Sequence, residues 1–219
     1  GFNANMLANE MFLDSSQLRS SVVSHAKTLG YTTRSSTASN AVVDIFLNTT
    51  NTSATMPAGT VFSSSVGDNS YQFVTIADAT AFLQGSSILF NDVSIYEGSF
   101  ISTRYTADTQ NVEQRFLIND NRADTDTLTI KIQNSASDTI TATYTLATDI
   151  AGLTPTSNVY FLQEVEDGKY EAYFGDGILG SALEDGNIVI MNYVVTNKGD
   201  ANGASVFVSS SAIDTVNSV

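Results

Sequence analysis

The stretch that most constrains the fold is the run Tyr160–Gly203, in which two β-rich segments lead into a series of spaced glycines and then a long apolar strand. Val159–Val165 and Tyr170–Phe174 are joined by Glu166-Asp167-Gly168-Lys169. Asp-Gly between such segments predicts a hairpin. The second segment runs into Phe174-Gly175-Asp176-Gly177, where two glycines bracket an aspartate that can bond back to the backbone. This spacing predicts a tight corner that buries Phe174, Ile178 and Ile188, with positive φ in at least one of Gly175, Gly177, Gly180 and Gly186. Leu183 is expected to plug it. Ile188–Val195 then reads as a strand covered on both faces.

The rest of the chain reads as mainly β after one helix. Asp14 and Gln17 have capping-box spacing, Leu18, Val22, Ala26 and Leu29 recur at helical intervals, and Gly30 is a stop signal, which predicts a helix over Ser15–Leu29. Strands are expected at Ala41–Leu47, Thr60–Ser63, Tyr71–Ile76, Ile88–Tyr96, Ser99–Thr106, Arg115–Ile118, Leu128–Ile132, Thr139–Leu146 and Ser205–Val208. Glu97-Gly98 reads as the turn of a hairpin, Asn48–Thr55 as a loop, Asp149–Leu153 as one helical turn, and Ala77–Leu83 as either a helical turn or a strand. The expected class is α+β, mainly β and sandwich-like. Its divisions are an arm and helix over 1–39, a first β region over 40–107, a second over 108–208 that holds the glycine-rich hairpin, and a tail over 209–219. The polar break at Asp108–Gln114 marks the central boundary.

Charge narrows the partners. The formal net charge is -14, and the nine basic residues are scattered. Nucleic acid is excluded as a partner, because phosphate binding needs clustered Lys and Arg. An anionic membrane surface is disfavoured for the same reason, and no apolar run approaches membrane-spanning length. With no cysteine, neither disulfides nor thiolate metal sites can form.

Side-chain sets that could carry chemistry have simpler explanations. His25, the single histidine, falls in the last turn of the predicted helix, where a cation complements the dipole. Glu164, Glu166, Asp176, Glu184 and Asp185 are close enough in sequence to suggest paired carboxylates of the glycosidase kind. They flank turns, where acids serve turn geometry and solubility. Asp120, Asn121, Asp124 and Asp126 could supply oxygen ligands to calcium but lack EF-hand spacing. Phe174–Gly177 resembles a phosphate-binding glycine loop only loosely, with no following helix and no lysine or arginine beside it. No catalytic, cofactor or metal site is therefore expected, and no enzymatic activity.

Taken in order, Phe174, Gly175, Asp176, Gly177, Gly180, Gly186, Ile188, Tyr193, Asn202 and Gly203 resemble the pattern of the baseplate J-like family of contractile phage tails. Within it the chain is most similar to the wedge subunits of T-even-type phages. The upstream stretch from Ser20 to Val43 extends the resemblance, and Leu183 stands where the wider family has proline. The chain begins at Gly1 and stops at Val219, so it is read as a fragment. The resemblance implies a structural subunit of the virion, assembled in the host cytoplasm. It further implies self-association as a dimer within a wedge, contacts with other wedge proteins, and a ring around the central hub that rearranges on sheath contraction. The alternative is a carbohydrate-binding or adhesin-type β-domain, as Ser/Thr-rich β proteins often are.

Overall fold

The computed structural model describes residues 34–111, 113–210 and 213–216. The predicted helix over Ser15–Leu29 and His25 lie outside them. The described chain is mainly β, and its helical content is limited to short 3-10 turns at Glu166–Gly168 and Lys198–Ala201.

The strands are, in order, β1 Asn40–Asn48, β2 Ser53–Met56, β3 Val61–Val66, β4 Asn69–Thr75, β5 Ala79–Gln84, β6 Ser87–Glu97, β7 Ser99–Thr106 and β8 Phe116–Ile118. They continue as β9 Ala123–Gln133, β10 Thr141–Leu146, β11 Val159–Glu164, β12 Tyr170–Phe174, β13 Ile188–Val195, β14 Val208–Ser209 and β15 Asp214–Val216. One sheet of eight strands runs β14-β3-β4-β6-β5-β2-β15, with β1 paired to β6 off this path. The other runs β7-β13-β9-β10-β11-β12-β8. The chain forms two compact units, one of them including Arg104–Asn121 and Ile130–Ile190. The other includes Ser36–Thr103, Arg122–Thr129 and the chain from Met191 onward.

In the eight-stranded sheet, alternation decides which side chains enter the core. Along β1, Val43, Ile45 and Leu47 are half-buried and their neighbours exposed. They pack on Met56, Phe62, Phe73, Ile88, Phe90 and Ile95. Phe73 meets Phe207 edge to face, with ring centroids 5.0 Å apart.

The Glu97-Gly98 hairpin does not form, because β6 and β7 enter different sheets. At its C-terminal end β6 already has β1 on one side, through Asn40 opposite Tyr96, and β4 on the other, through Phe73 opposite Glu97. No edge is left for β7. Gly98, at φ +128, donates its N–H to Gln72 O at 2.9 Å, and a Cβ on it would strike the Val195 carbonyl and lie 2.8 Å from Val194 Cγ1. Elsewhere, the strand Ser53–Met56 begins inside the expected loop, Ala79–Gln84 settles as a strand, and Asp149–Leu153 is a bend and turn rather than a helix.

The seven-stranded sheet buries Phe116, Ile118, Ile130, Tyr160, Tyr170, Ala172 and Val189. Its β10 and β11 pair in parallel, with Thr145 opposite Val159, so the intervening chain must cross over. Both strands flanking the predicted hairpin appear, β11 ending one residue earlier than read and β12 with the bounds read, and they pair antiparallel with Leu162 opposite Ala172. The strand Ile188–Val195 also has the expected bounds, alternating half-buried and buried residues up to Tyr193, with Val194 buried as well.

Candidate functional site

The glycine-rich corner follows β12 and stays within one unit. Phe174 ends the strand in an aromatic chain, with ring centroids 5.4 Å from Phe116 and 5.5 Å from Tyr144, both edge to face. The backbone then turns so tightly that Gly175 has no room for a side chain. A Cβ there would strike the Leu179 carbonyl oxygen and lie 2.5 Å from the Gly180 carbonyl carbon. Asp176 Oδ1 accepts the N–H groups of Ile178 at 2.9 Å and Leu179 at 3.0 Å. These bonds, Leu179 first, hold its carboxyl below its ordinary range.

Further backbone bonds tie the corner down. Gly177 N donates to Gly180 O at 3.1 Å, Gly180 N to Thr154 O at 3.1 Å, and Ser181 N to Ser157 O at 2.8 Å. Gly186 N donates to Ala107 O at 3.0 Å, and Asn187 reaches Asn134 O through Nδ2 at 2.9 Å. Positive φ is present as expected, at Gly177, Gly180 and Gly186. The expected burial is only partly observed. Phe174 and Ile188 are half-buried, as is Leu183, but Ile178 is 71% exposed, because the Asp176 turn that fixes its N–H aims its side chain outward.

The motif residues Tyr193, Asn202 and Gly203 belong to the other unit. Tyr193 is buried on β13, Asn202 Oδ1 accepts the Ser39 hydroxyl at 2.8 Å, and Gly203 adopts φ +97.

Several of the carboxylates are engaged as local structure. Glu164 is buried and accepts the Tyr170 hydroxyl at 3.4 Å, while Glu166, Asp176, Glu184 and Asp185 are exposed. Asp185 Oδ1 accepts the Thr109 N–H at 3.2 Å. Asp124 is buried, with Oδ2 accepting Ala38 N at 2.8 Å and Oδ1 accepting Asp126 N at 2.9 Å. Burial pushes its carboxyl up, against the pull of these bonds. Asp120 is half-buried, while Asn121 and Asp126 are exposed. Among the described residues, no group of three or more His, Cys, Asp and Glu side chains is arranged to hold a metal ion.

Sequence reading missed a buried polar network. Glu97 is 1% exposed; its Oε2 accepts Thr196 Oγ1 at 2.7 Å and Asn197 N at 2.9 Å, and its Oε1 accepts Asn197 Nδ2 at 2.8 Å. The signal was available in the alternation of β6. Val93, Ile95 and Glu97 share one parity, and that parity faces the core.

Comparison with known proteins adds family to geometry. Residues 102–209 match the model described as bacteriophage baseplate wedge protein gp6, third domain. The chain is 27% identical to the baseplate wedge protein gp6 of Enterobacteria phage T4 over 225 aligned residues, which cover 93% of this chain and 33% of that protein. The chain thus spans about a third of the length of the curated relative it matches.

Proposed function

We infer that this chain, which belongs to a baseplate wedge-like family, is a structural segment of a contractile-tail baseplate wedge that scaffolds the inner ring through protein–protein contacts. The observation that carries this reading is the match of residues 102–209 to the third domain of the wedge protein. The chemistry supports it. A corner fixed by backbone bonds and by glycines at which a Cβ would clash or strain the backbone supplies rigidity, and the carboxylates described above accept hydrogen bonds from backbone or side-chain donors or stand in solvent.

In this reading the protein is a virion component assembled in the host cytoplasm, and it acts without enzymatic activity or cofactor. It associates with a second copy in a wedge and with other wedge proteins, and the resulting ring surrounds the hub and rearranges on contraction. Phe174–Gly186 is the element that specifies the fold of the 108–208 region. An antibody raised against the purified chain, applied to intact particles and viewed by electron microscopy, tests this directly. Decoration of the baseplate is expected. Decoration of fibre tips or capsid, with binding to a glycan array, would favour an adhesin-type β-domain instead.

A further inference from the structure

We propose that the outer face of β1, β6 and β5 is a docking surface for a cationic, apolar segment of a partner protein. The face lies wholly within Ser36–Thr103 of one unit. On β1 the exposed parity carries Val42, Asp44 and Phe46, and Phe46 stands opposite Leu89 of β6. On β5 the pair Leu83–Ile88 points into the core, so Phe82 and Leu89 flank it on the outer side. An apolar row of Phe46, Leu89 and Phe82 therefore crosses three adjacent strands. Phe46 is 66% exposed and Phe82 67%. Single exposed apolar residues need no explanation, but two phenylalanines and a leucine aligned across a sheet form a patch of the kind that marks interaction sites.

Charge identifies the occupant. Beside the row, β6 carries a bulge at which Asp92 adopts φ +53 and donates its N–H to Asp44 Oδ1 at 2.9 Å, which holds two exposed aspartates together. No lysine or arginine stands between Arg34 and Arg104, while that stretch contains Asp44, Asp68, Asp78, Asp92 and Glu97. A second copy seated on this face would bring up another surface without lysine or arginine, leaving the Asp44–Asp92 pair with no cation to meet and adding like charge that opposes association. A segment that alternates lysine or arginine with apolar side chains satisfies both the row and its acidic border. The proposal rests on the wedge reading only in taking that partner to be another baseplate protein.

Three synthetic peptides probe the surface in solution: one alternating lysine with phenylalanine, one alternating glutamate with phenylalanine, and one alternating lysine with serine. Fluorescence anisotropy with the purified chain should show the lysine–phenylalanine peptide binding at least about tenfold more tightly than either of the others. Phe46→Thr with Phe82→Thr keeps strand propensity at exposed positions and should lower that affinity about tenfold or more. Asp44→Asn with Asp92→Asn keeps the Asp44 side-chain oxygen and tolerates the left-handed backbone, and should weaken binding several-fold and flatten its salt dependence. Equal binding of all three peptides, binding of none, or affinity unchanged in the phenylalanine variants would overturn the proposal. So would a dimer, seen by sedimentation, that dissociates in those variants, because the occupant would then be a second copy. The measurement needs no baseplate, so its failure leaves the wedge reading standing. Antibody labelling away from the baseplate would remove the wedge reading and leave the surface.

Discussion

Tyr105 donates its hydroxyl to the Leu117 carbonyl at 2.7 Å, although β7 and β8, which carry them, stand at opposite ends of the seven-stranded sheet. The Tyr105 ring also meets Phe116 edge to face at 5.8 Å. The sheet has therefore curled until its two edges touch, and one tyrosine closes it. Near-closure protects strand edges that would otherwise template pairing with other chains.

Tyr105→Phe removes the seam hydrogen bond and keeps the ring contact. It should cost about 1 kcal/mol, or roughly 2–4 °C in melting temperature. Tyr105→Ala loses both and should cost more, by about 0.5–1.5 kcal/mol for the aromatic pair plus the lost burial. Thermal melts of the two variants give the comparison, and equal losses would show that the ring contributes nothing to the seam.

Thr196 is fully buried and donates to Glu97, so Thr196→Val leaves the carboxylate short of one donor without changing side-chain volume much. A loss of about 1–3 kcal/mol is expected. Glu97→Ala strands three donors at once and should exceed it. In Glu97→Gln the amide oxygen can take the Oε2 position, while its NH2 faces an Asn197 side chain that can flip to accept, so this variant should be the mildest of the three. Chemical denaturation at neutral pH ranks them.

What the sequence made legible was local. The β11–β12 hairpin and the bounds of β13 followed from turn residues and apolar runs that act over a few positions. The partners of each strand were not legible. Glu97-Gly98 has good turn chemistry, yet the occupied flanks of β6 and the closeness of Val194 and Val195 to Gly98 send the chain into another sheet. Ile178 failed for a related reason. An apolar residue inside a glycine corner was read as core, but Asp176 holds the backbone so that the side chain faces water.

Gly175 and Gly186 separate two reasons for glycine in one corner. At Gly186, φ is +81 and a Cβ would meet open space, so Gly186→Ala should cost about 1–2 kcal/mol for backbone conformation alone. At Gly175, φ lies outside the left-handed region, but a Cβ would collide with the Leu179 and Gly180 backbone, which has no flexible end to move aside. Gly175→Ala should be the more damaging, with lost soluble yield or a melting temperature below that of Gly186→Ala. The reverse order would mean that the corner opens easily.

Asp176 provides the test of whether the corner is structural or catalytic. Hydrogen bonds from Leu179 and Ile178 depress its folded pKa below the ordinary 3.8, so its contribution to stability is present above that value and is lost as pH falls through the folded one. Asp176→Asn keeps a side-chain oxygen for both N–H groups but carries no titrating charge. The melting difference between wild type and Asp176→Asn should therefore be small near neutral pH and should shrink further below pH 3.8. Asp176→Ala, which removes the acceptor altogether, should melt lower than Asp176→Asn at neutral pH. A screen against glycoside substrates runs beside the melts and should stay at background for all three proteins. If the wild type hydrolysed a glycoside, and Asp176→Asn abolished that activity while melting unchanged, the carboxylate would be catalytic and the scaffold reading would fail.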